Sequence, residues 1–332
     1  MGAGGTYAMT FFVKDANPYE VTGVYSGALT SSPGLAAAIE TTRNHASELV
    51  EKYEGSSRKE KIKILDIIDK KLNVDDVPKL TEEQKIQYRV NAEAGIGVGH
   101  AIGYPWGVII VILAMQFVPK LLKMNLNEEY KKFNDEMNDK ESSVREVKAT
   151  PFDLVAFGIV CVAGYLIGLI KIYLGSTLGW FSLSATGGVL ISALILGYIG
   201  KIGWLSFRMD KKTLAEVRDI GLAMFLGVVG LRYGFAAIDS LTGSGLALSI
   251  VSIIVSLIAM GTGLLVGRYA LGINWIMLSG AICGGMTSTP GLGAAISSVG
   301  GKDDPAAGYG ATYPFALFGM VLFTIILHKL PI

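Results

Sequence analysis

Long apolar stretches joined by short, turn-rich segments fill the second half of the chain. They are too long and too uniformly apolar for half-buried strands, and a helix satisfies its own backbone hydrogen bonds in lipid. About 20 apolar residues suffice for a helix to cross the hydrocarbon core of a bilayer. The pattern predicts an all-α integral membrane protein that crosses the plasma membrane several times. Its apolar segments occupy residues 152–174, 183–199, 220–238, 246–267, 273–299 and 306–327.

Clusters of charged residues divide the chain into five predicted regions. Residues 1–39 form a partial first membrane repeat, residues 40–93 a charged helical soluble insertion, and residues 94–122 the last span of this repeat. A charged linker follows at residues 123–150. Residues 151–332 then form a second membrane repeat with about six apolar segments.

Composition supports lipid as the surroundings of the chain and argues against other partners. Only 17% of the 332 residues are charged and 51% are hydrophobic, whereas a soluble domain carries roughly 25% charged residues. A net charge of +1 gives nucleic acid no electrostatic footprint. Cys161, Cys283 and three dispersed histidines lack the spacing of a disulfide framework or a metal site. We therefore expect no metal, no cofactor and no enzyme activity.

Basic residues give an expectation for orientation. The connection at residues 201–218 carries more basic than acidic side chains, so the positive-inside rule places it in the cytoplasm. The same rule places residues 302–304 outside the cell. Residues 123–150 are then cytoplasmic too, provided that each apolar segment crosses once.

One motif occurs twice in the chain. Residues 27–39 read GALTSSPGLAAAI and residues 284–296 read GGMTSTPGLGAAI, with nine of thirteen positions identical. A Tyr-Pro-aromatic sequence follows each copy, at residues 104–106 and 313–315. The shared order predicts repeated helical halves, each with a discontinuous helix broken at its Gly/Pro motif, and a first half that is incomplete.

A proline breaks the helix in each copy. Pro33 offers no N–H to the carbonyl of Leu29, and Pro290 does the same to Met286. Non-helical backbone at membrane depth persists only when it is buried in protein or lines a wet cavity. The helix after each break directs free N–H groups and its positive dipole end toward the break, which favours an anion.

We therefore predict that both copies form a site for a small anionic or zwitterionic substrate. Its first copy contributes Gly27, Thr30, Ser31, Ser32 and Pro33, and its second Gly284, Gly285, Thr287, Ser288, Thr289 and Pro290. A matched pair of interrupted helices is a pointer to a transporter's substrate site. The alternative is that small residues only allow close helix packing.

Three further residues are candidates for this site. Arg232 is a cation within an apolar span, where it serves the substrate, pairs with an acid or reaches a helix end. His100 is either a proton-linked group or a hydrogen-bonded interior histidine. Asn274 either lines the second half of the site or caps its helix.

The paired motif resembles the signature of the aspartate:alanine exchanger family of permeases. The Tyr-Pro-aromatic spans, residues 185–189 and residues 219–226 resemble that family as well. The resemblance implies a secondary carrier, related by fold to sodium/proton antiporters and bile-acid symporters. It also implies exchange or symport of small carboxylates or amino acids.

The chain departs from the family pattern in its first half. Family members usually have several helices before the first motif, and many carry soluble domains between the halves. Here Thr30 comes early, and the insertion lies inside the first half. We therefore expect that a second membrane subunit or a homo-oligomer completes the site, or that the sequence is a truncated part of a longer one.

Two functions follow from these observations. The first is a secondary transporter with alternating access, coupled to Na⁺, H⁺ or a counter-substrate. The second is a non-transporting membrane subunit or scaffold of a two-component permease, with residues 40–93 as its docking domain.

Overall fold

The computed structural model describes most of the chain. The residues described are 1–11, 13, 17–141, 149–173, 175, 180–181, 184–210, 212–221, 223–224, 227, 231 and 245–329.

Helices dominate the described residues, which confirms the predicted all-α fold class. The helices of the first half are α1 (Gly2–Thr10), α2 (Pro18–Ala28), α3 (Ser32–Lys52), a 3₁₀ turn (Tyr53–Gly55), α4 (Arg58–Ile68), α5 (Glu82–Leu121) and α6 (Leu126–Glu141). Those of the second half are α7 (Leu154–Leu169), α8 (Ser184–Ile199), α9 (Gly245–Leu265), α10 (Trp275–Gly285), α11 (Thr289–Ser298) and α12 (Pro305–Lys329). Residues 212–221 are also helical, and α9 continues into a π-helical turn, Val266–Ala270.

Strands play a minor part in the described structure. The antiparallel pairs are β1 (Ile172–Tyr173) with β2 (Trp180–Phe181), and β3 (Lys201–Ile202) with β4 (Leu205–Ser206). The pair β1–β2 lies between α7 and α8, and β3–β4 follows α8.

Three of the described helices are long and apolar enough to cross a membrane. They are Glu82–Leu121, Gly245–Ala270 and Pro305–Thr324. Shorter apolar helices are Leu154–Leu169, Gly188–Ile199 and Trp275–Gly285.

The insertion domain, residues 40–93, is continuous with helices α3 and α5. Helix α3 runs through residue 40 and α5 runs through residue 93, so both predicted boundaries fall inside helices. Tyr53 is buried and donates its hydroxyl to the carbonyl of Val77 at 2.7 Å. Around it lies a separate hydrophobic core whose members include Val50, Ile64, Leu65, Leu80 and Tyr88.

The chain reverses direction at the first motif. The Tyr19 hydroxyl lies 3.4 Å from Nδ1 of His45. If α2 and α3 continued in one direction, these residues would stand roughly 30 Å or more apart. Helices α2 and α3 therefore form a hairpin, hairpin 1, with its tip at the break.

The second motif forms an equivalent hairpin. Two adjacent residues of α6 bind the beginning and the end of the second motif's helix pair. Glu129 accepts the backbone N–H of Trp275 at 2.6 Å, and Tyr130 donates its hydroxyl to the carbonyl of Val299 at 2.9 Å. Because Trp275 begins α10 and Val299 follows α11, these two helices fold back on each other as hairpin 2.

Glycines allow a spanning helix to pack closely against each hairpin. A Cβ at Gly99 of α5 would overlap the carbonyl oxygen of Glu20 in α2. In the second half, a Cβ at Gly308 of α12 would overlap the carbonyl oxygen of Met277 in α10. These contacts occupy equivalent positions in the two repeats, so the duplicated sequence is a duplicated structure.

The hairpins enter the bundle from opposite ends. Helix α5 passes the base of hairpin 1 at Gly95, close to Asn17. Farther along, Gln116 donates to the carbonyl of Ala294 in hairpin 2 at 3.3 Å. The chain then reaches α6 at the base of hairpin 2. The two repeats are thus inverted, with their hairpin tips meeting midway.

One part of the expected topology is wrong, namely that residues 302–304 lie on the side opposite residues 201–218. Arg218 forms an ion pair with Asp303, and Nζ of Lys302 lies 4.1 Å from the ring centroid of Tyr130 in α6. Residues 218, 302–303 and α6 therefore share one end of the bundle. Arg218 and α6 lie at the same end, as expected, and only residues 302–304 differ, because hairpin 2 returns the chain to the end of the bundle from which it entered.

Candidate functional site

The two hairpin tips have the same backbone conformation. Thr30 and Thr287 have φ angles of 54° and 53°, in a left-handed region that disfavours β-branched residues. The next N–H in each tip turns back into the preceding helix: Ser31 donates to Ser26 and Ser288 to Cys283, both at 2.8 Å. Strained backbone of this kind is concentrated at ligand sites and switch regions of proteins.

The tips bind each other through the carbonyls that the prolines set free. Thr287 donates its hydroxyl to the carbonyl of Leu29 at 3.5 Å, and Thr30 donates to that of Met286 at 3.4 Å. Each repeat thus makes the same contact with the other, as across a two-fold axis. Both bonds are long and therefore weak.

A serine caps the helix that leaves each tip. Ser31 accepts the N–H of Gly34 at 3.0 Å, and Ser288 accepts that of Gly291 at 3.1 Å. These serines are buried, so their hydroxyls serve the local fold.

The next residue in each copy is the exposed one. Ser32 and Thr289 are exposed and begin α3 and α11. Within the described structure their backbone N–H groups have no hydrogen-bond partner. The Thr289 hydroxyl lies 3.4 Å from that of Tyr309 in α12.

Two glycines of the motif serve packing between helices. A Cβ at Gly27 would lie 2.7 Å from the carbonyl oxygen of His100, and one at Gly284 would lie 2.5 Å from that of Tyr309. Gly285 is exposed, and Pro290 is buried in the first turn of α11. Pro33 lies in the first turn of α3.

The structure describes two of the three further candidates and places them in different parts of the bundle. His100 is buried beside hairpin 1, with its Nδ1 2.9 Å from the Ser26 hydroxyl. The same hydroxyl lies 2.9 Å from the carbonyl oxygen of Gly23. Asn274 caps α10 at the base of hairpin 2, away from the tips. Arg232 lies outside the described residues.

A cavity of about 580 Å³ borders the tips on one side. Leu29 and Met286 form part of its wall, whereas Ser32 and Thr289 do not. Its two threonines, Thr262 and Thr312, bond to carbonyls of Ile258 and Ala281. The cavity is therefore an apolar space behind the tips, distinct from the exposed polar groups.

Sequence reasoning missed the groups that hold the base of hairpin 2. Glu129 was assigned only to a charged linker, yet it is buried and binds both Arg268 and the start of α10. The available signal was a helical spacing of residues 126, 130 and 133, which places Leu, Tyr and Phe on one face of α6. Among the described residues, no cluster of three or more His, Cys, Asp or Glu side chains could hold a metal ion.

Comparison with known proteins agrees with this architecture. A family described as "Predicted Permease Membrane Region" matches residues 2–120 and 156–329, the two repeats. An uncharacterized transporter of Bacteroides thetaiotaomicron is 35% identical over 211 residues, which cover 64% of this chain and 38% of that protein. One of Desulfotalea psychrophila is 32% identical over 164 residues, covering 49% and 30%.

The matched part of the chain covers at most 38% of the length of these relatives. No solved structure matches the chain. The family match nevertheless covers both repeats and both hairpins. The chain therefore belongs to the aspartate:alanine exchanger family of membrane permeases.

Proposed function

We propose that this chain is a secondary transporter of small carboxylates or amino acids, a multi-pass protein of the plasma membrane. The substrate binds at the two hairpin tips. The observation that carries the proposal is their inverted, tip-to-tip contact, in which Thr30 and Thr287 reach across to each other's repeat.

The exposed groups at the tips fit a carboxylate. Ser32 and Thr289 each offer a hydroxyl and an N–H at the start of a helix, where the helix dipole favours negative charge. No acidic side chain lies in either described tip, since residues 26–35 and 283–292 contain none.

Inverted repeats provide two nearly equivalent states, and exchanging them moves access from one membrane face to the other. The weak threonine contacts between the tips are compatible with repeated separation. We propose exchange or coupling to Na⁺ held by hydroxyl and carbonyl oxygens, with H⁺ coupling through His100 as the other possibility.

A ligand-stabilisation experiment tests the site. Purified protein is heated with L-aspartate, L-alanine or succinate, with and without Na⁺, and its melting temperature is measured. At least one ligand should raise the melting temperature of the wild type. Thr289→Val should remove this rise without changing the melting temperature of the free protein, because its hydroxyl is exposed.

Thr262→Val is the matched control. Its hydroxyl bonds only to Ile258 of its own helix at 2.6 Å, so the ligand response should remain. A ligand response that survives in both Thr289→Val and Ser32→Ala would disprove the site.

A non-transporting subunit of a two-component permease is the second candidate. Helices α7 and α8 pack on each other and expose large apolar side chains, with Val162 62% and Tyr198 81% exposed. This surface fits lipid or a second membrane protein, in a hetero- or homo-oligomer. Ligand uptake by liposomes containing this chain alone would exclude the subunit role.

A further inference from the structure

A buried carboxylate joins α6 to the base of hairpin 2. Glu129 is 3% exposed and accepts hydrogen bonds from both terminal nitrogens of Arg268, at 2.9 and 2.6 Å. It also accepts the N–H of Trp275, the first residue of α10. A negative charge at a helix N-terminus is stabilised by the dipole. Removing one partner of a buried ion pair leaves the other charge uncompensated.

Two other residues of α6 hold the same base. Tyr130 donates to the carbonyl of Val299 after α11. Glu136 accepts from the amide of Asn274 at 2.9 Å, so the cap of α10 is itself held from α6. We call Glu129, Tyr130 and Glu136 the α6 clamp. It contacts both arms of hairpin 2.

The base of hairpin 1 is held in another way. Its second arm, α3, continues without a break into the insertion domain, where Ala46 and Val50 are buried in a hydrophobic core. In hairpin 2 the arm ends at Ser298, and Gly300 and Gly301 follow with φ angles of 84° and 80°. Because glycine lacks a Cβ and is conformationally permissive, two consecutive glycines give this connection conformational freedom.

We propose that hairpin 2 is the moving gate of the site and that the α6 clamp sets its closed position, with Glu129 as the positioning residue. This rests on the proposed function, because the gate controls access to the same tips. Hairpin 1, anchored in the insertion domain, is the fixed side. Release of the clamp removes the α6 contacts from both arms of hairpin 2 at once.

The chain provides a matched pair of reporters for this motion. Cys283 is buried in α10 just before the tip of hairpin 2, and Ser26 is buried at the equivalent position of hairpin 1. In a Cys161→Ser background, the reaction of Cys283 with N-ethylmaleimide measures the opening of hairpin 2. A second protein, Cys161→Ser with Cys283→Ser and Ser26→Cys, measures that of hairpin 1.

The test adds Glu129→Ala to both reporters in membrane vesicles. The labelling rate of Cys283 should rise at least about tenfold, because the buried pair with Arg268 is lost. The rate at position 26 should change less than about twofold, because hairpin 1 has its own anchor. Glu129→Asp, which keeps the charge, should restore slower labelling of Cys283.

Three results would overturn the proposal. The first is an unchanged rate at Cys283. The second is an equal rise at both positions, because that indicates general loosening of the fold. The third is a failure of Glu129→Asp to slow labelling of Cys283 relative to Glu129→Ala.

A transport assay separates this proposal from the proposed function. Labelling needs no substrate, whereas uptake of L-aspartate into proteoliposomes does. If labelling responds as expected but neither uptake nor ligand stabilisation is found, the substrate class fails while the gate stands. If the wild type transports and only the labelling prediction fails, the gate alone is wrong.

Discussion

At the scale of single residues, the tips combine strain with weak bonding. Thr30 and Thr287 occupy left-handed backbone that costs an L-residue roughly 1–2 kcal/mol. Each recovers part of this through one long hydrogen bond to the other repeat. Glycine at either position would remove the strain, but it would also remove the threonine hydroxyl that makes this contact.

This balance gives a prediction for position 287. Thr287→Val keeps the strain and leaves the Leu29 carbonyl without its partner, so it should destabilise the protein by about 1 kcal/mol. Thr287→Gly loses the same bond but removes the strain, and should be at least as stable as the valine variant. Thermal unfolding in detergent measures both, and Thr30 should behave in the same way. A glycine variant clearly less stable than the valine variant would contradict this account.

The carboxyl of Glu129 gives a second prediction, about pH. Burial raises its pKa, but the hydrogen bonds from Arg268 and Trp275 and the Arg268 charge outweigh burial and hold the pKa below the ordinary 4.5. A carboxyl group whose pKa is lower in the folded than in the unfolded protein stabilises the folded state at pH values above its ordinary pKa. This stabilisation is lost as the pH falls through the pKa that the group has in the folded protein. Ionised Glu129 thus stabilises the folded protein fully at neutral pH, and this stabilisation is lost as the pH falls below about 4.5.

The measurement compares wild type with Glu129→Gln from about pH 7 down to pH 3.5. The variant should be less stable by about 2 kcal/mol at neutral pH, and the difference should narrow below pH 4.5. A difference that stays constant across this range would show that folding does not lower the pKa of Glu129.

At the scale of helices, close packing of backbone on backbone fixes the hairpins. Helix α5 runs beside α2 with glycine at each point of closest approach, and α12 runs beside α10 in the same way. Small residues allow such contact between helices in membranes, where apolar burial gives little driving force. The glycines at these positions therefore determine where each hairpin sits.

A pair of glycines two residues apart in α5 tests this point. Gly99→Ala places a methyl group on the carbonyl of Glu20 and should cost several kcal/mol or prevent folding. A Cβ at Gly97 meets no atom within 4 Å, so Gly97→Ala should be neutral or stabilising by up to about 1 kcal/mol. Expression and melting temperature measure both. Equal effects would show that α2 does not approach α5 at Gly99.

At the scale of the whole molecule, two inverted repeats place their hairpin bases at opposite ends. The insertion domain lies at the base of hairpin 1, and α6 with the loop at residues 302–304 lies at the base of hairpin 2. Helix α5 covers the distance from one base to the other: it passes the base of hairpin 1 at Gly95 and ends at Leu121, a length of about 40 Å.

Labelling from one side of the membrane tests this topology. With Cys161 and Cys283 replaced, single cysteines at Lys59 and Lys302 should react with a membrane-impermeant maleimide from opposite faces of sealed vesicles. Both should react once the vesicles are opened with detergent. Labelling of both from the same face would disprove the inverted arrangement.

The sequence by itself determined where the helices break and that two copies match. Proline removes a donor wherever it stands, so Pro33 and Pro290 free the carbonyls of Leu29 and Met286 in any fold. The structure shows those two carbonyls in the contact between the repeats. The paired motif and the apolar spans were also enough to predict the helical class and the family.

Only the tertiary structure decided how the chain continues after each break. A lost hydrogen bond permits a bend, a kink or a reversal, and the choice depends on contacts with α5 and α12, far away in sequence. Glu129 and Asn274 show the same limit, because their partners lie 139 and 138 residues distant. Local chemistry determines which backbone groups lose their helical hydrogen bond, whereas long-range packing decides which partners these groups meet.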